Sequence, residues 1–129
     1  CEPRLLGFGD NVLMSGKETD YPLENGNVLP LKYELFSFDA LVFKGACRRL
    51  EICGRHTKRS VGVDFPGMKY LGIWHKPCTD APYVCIEPWE TLPSYEGKIE
   101  KLNEKDGVGV VGAGETYYSP IAITVNEEE

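Results

Sequence analysis

Short runs in which apolar and polar residues alternate punctuate the chain, and each is of strand length. Arg49-Leu50-Glu51-Ile52-Cys53 alternates strictly, as does Ser60-Val61-Gly62-Val63-Asp64-Phe65, while Tyr70 to Trp74, Tyr83 to Ile86 and Ile121 to Val125 are rich in β-branched and aromatic residues. Between these runs lie Glu24-Asn25-Gly26-Asn27, Phe65-Pro66-Gly67, Lys76-Pro77-Cys78-Thr79-Asp80 and Asp106-Gly107, residue types that turn the backbone. This spacing predicts an all-β protein, an antiparallel β-sandwich or meander. One segment, Tyr95 to Lys105, offers Ile99 and Leu102 three apart among charges, and two apolar anchors fit a single helical turn or an exposed loop equally well. Gly107-Val-Gly-Val-Val-Gly112 has the letters of a dinucleotide fingerprint without a helical pattern after it, so it reads as a Gly-rich strand and turn.

No repeat or linker divides the 129 residues, and residues 1–129 are expected to form one domain. A 42% hydrophobic, 26% charged composition with only short apolar runs is that of a globular protein and predicts no membrane span. Twenty acidic against fourteen basic residues give a net charge of −6, which repels a phosphate backbone. Arg48, Arg49, Arg55, Lys58 and Arg59 cluster, but Glu51 interrupts them and no stacking aromatics accompany them, so no nucleic-acid partner is expected. The terminal Glu127-Glu128-Glu129 reads as a solvated tail. Cys1, Cys47, Cys53, Cys78 and Cys85 make an odd set with no signal segment ahead of them, which predicts five reduced thiols and a cytoplasmic location. Their spacing, and that of His56 and His75, matches no zinc pattern, so no metal is expected, and both histidines are expected at the surface.

Chemistry concentrates in two stretches. If Tyr70–Trp74 and Tyr83–Trp89 are strands, Tyr83, Cys85, Glu87 and Trp89 share one face while Val84 and Ile86 take the other. Pro88 holds Glu87 extended. Paired with Tyr70, Gly72 and Trp74, this face becomes an aromatic floor with a gap at Gly72, and a flat sugar face packs well on such a floor. A carboxylate among aromatic rings loses hydration, which favours its protonated form and suits it to take a proton near neutral pH. The alternative is that these aromatics are core and Glu87 is a solvated strand residue. The second stretch, Leu29 to Lys44, holds Asp39 in an apolar, aromatic run. Its carboxylate either receives ligand hydroxyls or caps backbone amides at a strand end.

Tyr70-Leu-Gly-Ile-Trp-His-Lys-Pro through Pro82-Tyr-Val-Cys-Ile-Glu-Pro-Trp89, continuing over Glu90-Thr-Leu-Pro-Ser94 and Glu104-Lys-Asp-Gly107 to Gly114-Glu115, resembles the C-terminal part of the aldose 1-epimerase (galactose mutarotase)-like family. The resemblance is closest to its shorter bacterial mutarotase-related branch. Leu29-Pro-Leu and Phe38-Asp-Ala-Leu-Val-Phe43 fit in the right order, and the Cys-Ile-Glu-Pro-Trp element is the specific part. It implies a portion of a large antiparallel sandwich, a monosaccharide (aldohexose) ligand in a concave sheet face, and no cofactor. Glu87 matches the general base that deprotonates the anomeric hydroxyl, Asp39 the sugar-hydroxyl acceptor, and Trp74 and Trp89 the walls. The family's catalytic histidines and sugar-binding Arg lie upstream, in motifs of the Asn-His-Pro and Gly-His-Pro kind. Neither motif occurs here, and neither His56 nor His75 matches them. The chain is thus expected to carry the base without its acid. A non-catalytic sugar-binding or structural sandwich is the alternative, and strand edges left bare would favour self-association.

Overall fold

Alternating runs become strands because each can bury one face, and the computed structural model, which describes residues 2–127, realises most of the pattern. The strands are β1 (Arg4–Phe8), β2 (Met14–Asp20), β3 (Leu41–Lys44), β4 (Arg49–Cys53), β5 (Ser60–Asp64), β6 (Tyr70–Trp74), β7 (Cys85–Trp89) and β8 (Ala122–Asn126). Two 3-10 turns, Tyr33–Phe36 and Leu102–Glu104, complete the regular structure among the described residues. Every strand pairing is antiparallel, so the protein is all-β with two antiparallel sheets, as the sandwich class requires. One sheet runs β2-β1-β3-β6-β7 and the other β4-β5-β8. The chain divides into two compact units, Cys1–Ala46 with Lys69–Val110 and Cys47–Met68 with Val111–Glu129, each holding one sheet.

In the first unit, register places Leu6, Val42 and Gly72 in one row, with Glu87 across from Gly72. The core is built on that face: Leu6, Met14, Val42, Tyr70 and Leu92 form the buried cluster, flanked by Phe8, Ala40, Trp89 and Tyr95. Leu92 arrives from beyond β7. The Met14 amide donates to Ser94 O at 2.9 Å and the Glu96 amide to Met14 O at 3.0 Å, so this segment pairs beside β2 at the opposite edge of the sheet. In a flat sheet Trp89 and Tyr95 would stand five strand spacings apart, roughly 24 Å. The six residue steps from one to the other span at most about 22 Å. The sheet therefore curls around the cluster, with Glu90–Tyr95 drawn across it as a taut strap. Glu96 anchors the far end by accepting from the Asp10 amide at 3.1 Å.

In the second unit, Leu50, Ile52, Val61, Val63, Ile123 and Val125 share one face, while Arg49, Glu51, Ser60, Asp64, Thr124 and Asn126 share the other. Arg49 pairs with Asp64 on the polar face, and the Ser60 hydroxyl donates to Glu51.

Some expectations are corrected. The strand expected over Tyr83–Ile86 lies at Cys85–Trp89, where Pro88 is tolerated because β7 is an edge strand. Gly107–Gly112 is turn and coil with no strand. Gly107 adopts φ +81°, and a Cβ there would meet Glu90 O at 2.3 Å, so glycine serves a close approach to the strap, which Thr91 reinforces by donating to Asp106 O at 2.6 Å. Tyr95–Lys105 agrees with its expectation, being loop plus the turn at Leu102–Glu104, with Ile99 and Leu102 exposed. The expectation of five reduced thiols fails at Cys47, which is disulfide-bonded, while Cys53, Cys78 and Cys85 are free. An odd count does not exclude one bridge that leaves a remainder, so the cysteines no longer argue for a cytoplasmic location. Among the described residues no helix is long and apolar enough to cross a membrane.

Two measurements check this fold. Leu92 is 7% exposed where the strap enters the core, so Leu92→Ala should cost about 2–4 kcal/mol in urea unfolding; an unchanged midpoint would show that the strap does not hold the sheet. Alkylation without reductant should modify exposed Cys53 and Cys78 quickly and half-buried Cys85 slowly, and should spare Cys47 until reductant is added.

Candidate functional site

Alternation along β6 and β7 decides what can meet. Tyr70 lies across from Trp89, Gly72 from Glu87 and Trp74 from Cys85, so all six share one face, and Leu71, Ile73, Ile86 and Pro88 take the other. Glu87 thus has Trp89 on one side and, diagonally across, Trp74 on the other, in rows about 7 Å apart. It is half-buried, and among the described residues no hydrogen bond or ion pair holds its carboxylate. No Lys pairs with it.

The gap expected at Gly72 is closed. Gly72 is buried, and a Cβ built there would stand 3.1 Å from Trp89 Cζ2 and 3.3 Å from Glu87 Cβ and Glu87 O. The indole of Trp89 therefore lies over Gly72 and reaches the core cluster. Beside it, an open groove of about 410 Å³ is lined by Trp89, Glu90, Thr91, Leu92 and Pro93. Tyr70 closes this end of the face: it is 6% exposed and its hydroxyl donates to Asp106 Oδ2 at 3.3 Å. Burial, with the Asp106 charge adding to it, pushes the Tyr70 hydroxyl above its ordinary pKa.

Trp74, half-buried at the end of β6, opens the other end of the face, its ring 6.3 Å from that of Tyr83. Asp39 stands two residues before β3, half-buried, and its Oδ1 accepts from the Ala40 amide at 2.7 Å. That bond is the backbone cap weighed for it from sequence, and it leaves Oδ2 for another donor. The structure does not bring Asp39 beside Glu87: the two lie roughly 10 Å apart along the strands and roughly 10 Å apart across them.

His75 was expected at the surface and is instead 2% exposed, while His56 is exposed as expected. The signal was available, because Leu71, Ile73 and His75 continue one buried face of β6. The ring of His75 stacks on Tyr83 at 4.7 Å and lies 5.0 Å from Tyr33 and 6.0 Å from Phe36. Its Nε2–H donates to Ala81 O at 2.8 Å, since a carbonyl can only accept. Tyr33 donates to Asp80 O at 3.0 Å, and the Tyr83 hydroxyl accepts from the Lys76 amide at 3.1 Å. His75 thus organises the β6–β7 loop on the side of the sheet opposite Glu87. Among the described residues no three of His, Cys, Asp and Glu gather as metal ligands.

The chain is similar to Protein LacX of Lactococcus lactis subsp. lactis, in both its plasmid and chromosomal forms. Identity to each is 29% over 121 residues, covering 92% of this chain and 40% of the relative. The chain thus spans two-fifths of the length of these curated relatives. No protein-family model and no solved structure matches it.

The contact over Gly72 is testable. Gly72→Ala should displace the Trp89 ring, lower stability by about 1–3 kcal/mol and alter tryptophan emission. A neutral substitution with unchanged emission would place the indole elsewhere.

Proposed function

We propose that this chain is the carbohydrate-directed part of a mutarotase-like protein that interconverts aldohexose anomers. The observation that carries the reading is Glu87, a half-buried carboxylate with no partner among the described residues, set on a sheet face between Trp74 and Trp89. Its resemblance-derived role is to take the proton from the anomeric hydroxyl. As the ring oxygen is protonated, the ring opens to the aldehyde, the C1–C2 bond rotates, and closure returns the other anomer. Asp39 Oδ2 is the proposed acceptor of a sugar hydroxyl, and the two indoles the walls against which the apolar sugar face packs. The proton donor to the ring oxygen belongs to the longer protein of LacX size, because His75 lies on the far face of the sheet. The similarity over 92% of the chain supports that placement within a longer protein.

A second reading, a non-catalytic sugar-binding or structural module, is favoured by one observation: Trp89 covers Gly72 and packs against the core, as a framework residue does.

Titration of the chain with galactose or glucose, followed by tryptophan emission, should saturate. Asp39→Asn should weaken that binding by about 1.5–3 kcal/mol, the scale of a hydrogen bond to a charged group, with the melting temperature unchanged. Polarimetry on freshly dissolved α-galactose should stay at the buffer rate for the chain alone. In the longer protein, Glu87→Gln should slow interconversion about a hundredfold or more while binding persists. Binding with interconversion indifferent to Glu87→Gln would favour the second reading, and no response to either sugar would overturn the carbohydrate reading.

A further inference from the structure

The two sheets present four edge strands, β2, β7, β4 and β8, and three of them carry residues that discourage pairing with another chain. β2 has Lys17, Glu18 and Asp20, with Gly16 at φ +78°; β7 has Glu87 and Pro88; β4 has Arg49 and Glu51. β8 reads Ala-Ile-Thr-Val-Asn, with no charge, proline or glycine. All five residues are exposed, Ile123 at 68% and Val125 at 65%. In an antiparallel ladder the groups not turned toward β5 point outward, so the free side of β8 offers unpaired N–H and C=O groups. The strand is also held in place. Asn126 Nδ2 donates to Ser60 Oγ at 2.9 Å and to Glu51 Oε1 at 3.2 Å, tying its end across all three strands.

We propose that β8 pairs antiparallel with the β8 of a second copy of this chain, about a two-fold axis at Thr124. The sequence is self-complementary in that register. Ile123 meets the partner's Val125 on the apolar face, Thr124 meets the partner's Thr124 on the polar face, and Ala122 meets the partner's Asn126. The apolar stripe of Leu50, Ile52, Val61 and Val63 then continues through both copies as one face of a six-stranded sheet. A slip by one residue would set Ile123 beside Thr124 and mix the faces. Pro120 and Glu127 bracket the strand and limit the pairing to its own length. The outer edges of the joined sheet are two copies of β4, guarded by Arg49 and Glu51, so the assembly closes as a dimer and does not grow into a fibre. Five residues of edge bury far less than the about 800 Å² per partner of a standard interface, so the dimer is weak and concentration-dependent. Two copies each carrying −6 repel, so added salt strengthens it.

Sedimentation velocity across a concentration series tests the proposal. A monomer–dimer equilibrium is expected that tightens with salt. Val125→Lys, at an exposed position, should weaken it at least tenfold without moving the melting temperature. Thr124→Cys, oxidised at concentrations where dimer is populated, should give a disulfide joining the two position-124 thiols in peptide mapping, because directly opposed residues stand within bridging distance. A chain monomeric at every concentration, or a dimer indifferent to Val125→Lys, would overturn the proposal. Crosslinking through other cysteines in place of position 124 would overturn the register.

Discussion

The strap from Glu90 to Tyr95 is the constraint on which the first unit depends. A five-stranded antiparallel sheet has no intrinsic reason to close on one face, and its twist alone leaves a broad apolar surface open. Here the chain leaves β7 at one edge and must reach Met14 at the other within six residues, a distance it can span only if the sheet bends toward it. Leu92 then lands among Leu6, Met14, Val42 and Tyr70, so one short segment supplies both the curvature and the material that fills it. The close approach of Gly107 to Glu90 O and the Thr91–Asp106 hydrogen bond secure the near end, as Glu96 secures the far one.

That closure also grades the face on which Glu87 sits. Toward the strap, Tyr70 and Trp89 are drawn into the core and the indole is pressed over Gly72. Away from it, Trp74 and Tyr83 remain partly in solvent. Glu87 lies at the boundary between packed core and open surface, half-buried, with no hydrogen bond or ion pair from the described residues on its carboxylate. In the loop that joins the same two strands, His75 packs with Tyr33, Phe36 and Tyr83. Tyr83 contacts both Trp74 and His75, so the loop anchor is continuous with the open end of the face that carries Glu87.

The legible part of this architecture was the part in which side-chain period and burial agree. β4 and β5 stand where alternation puts them, β6 stands where β-branched and aromatic residues put it, and the shared face of Trp74, Glu87 and Trp89 follows from a period of two. β2 was illegible because Met-Ser-Gly-Lys-Glu-Thr-Asp buries only its first residue and shows no apolar rhythm; its neighbour β1 gives it its place through the ladder. His75 was misjudged by its polar identity, although its position continues the Leu71–Ile73 face. The filling of the Gly72 notch depends on which way an indole ring turns, and a linear sequence does not carry that. Nor does cysteine parity reveal a single bridge at Cys47.

A sequence that specifies a fold keeps its local choices consistent, and departures without compensation inside the chain mark where something else acts. Two stand out here. Glu87 is a half-buried carboxylate that no cation or donor among the described residues contacts, on a strand whose neighbours are otherwise apolar or aromatic. β8 is an edge with no guard, in a protein that guards its other three edges with charge or proline. The two have different chemical characters. The ligand proposed for a carboxylate carries hydroxyl or cationic donors, whereas the partner proposed for an unguarded apolar edge is another strand. That difference separates the small-molecule site proposed on the first sheet from the chain-pairing site proposed on the second, so loss of either one leaves the other to be tested.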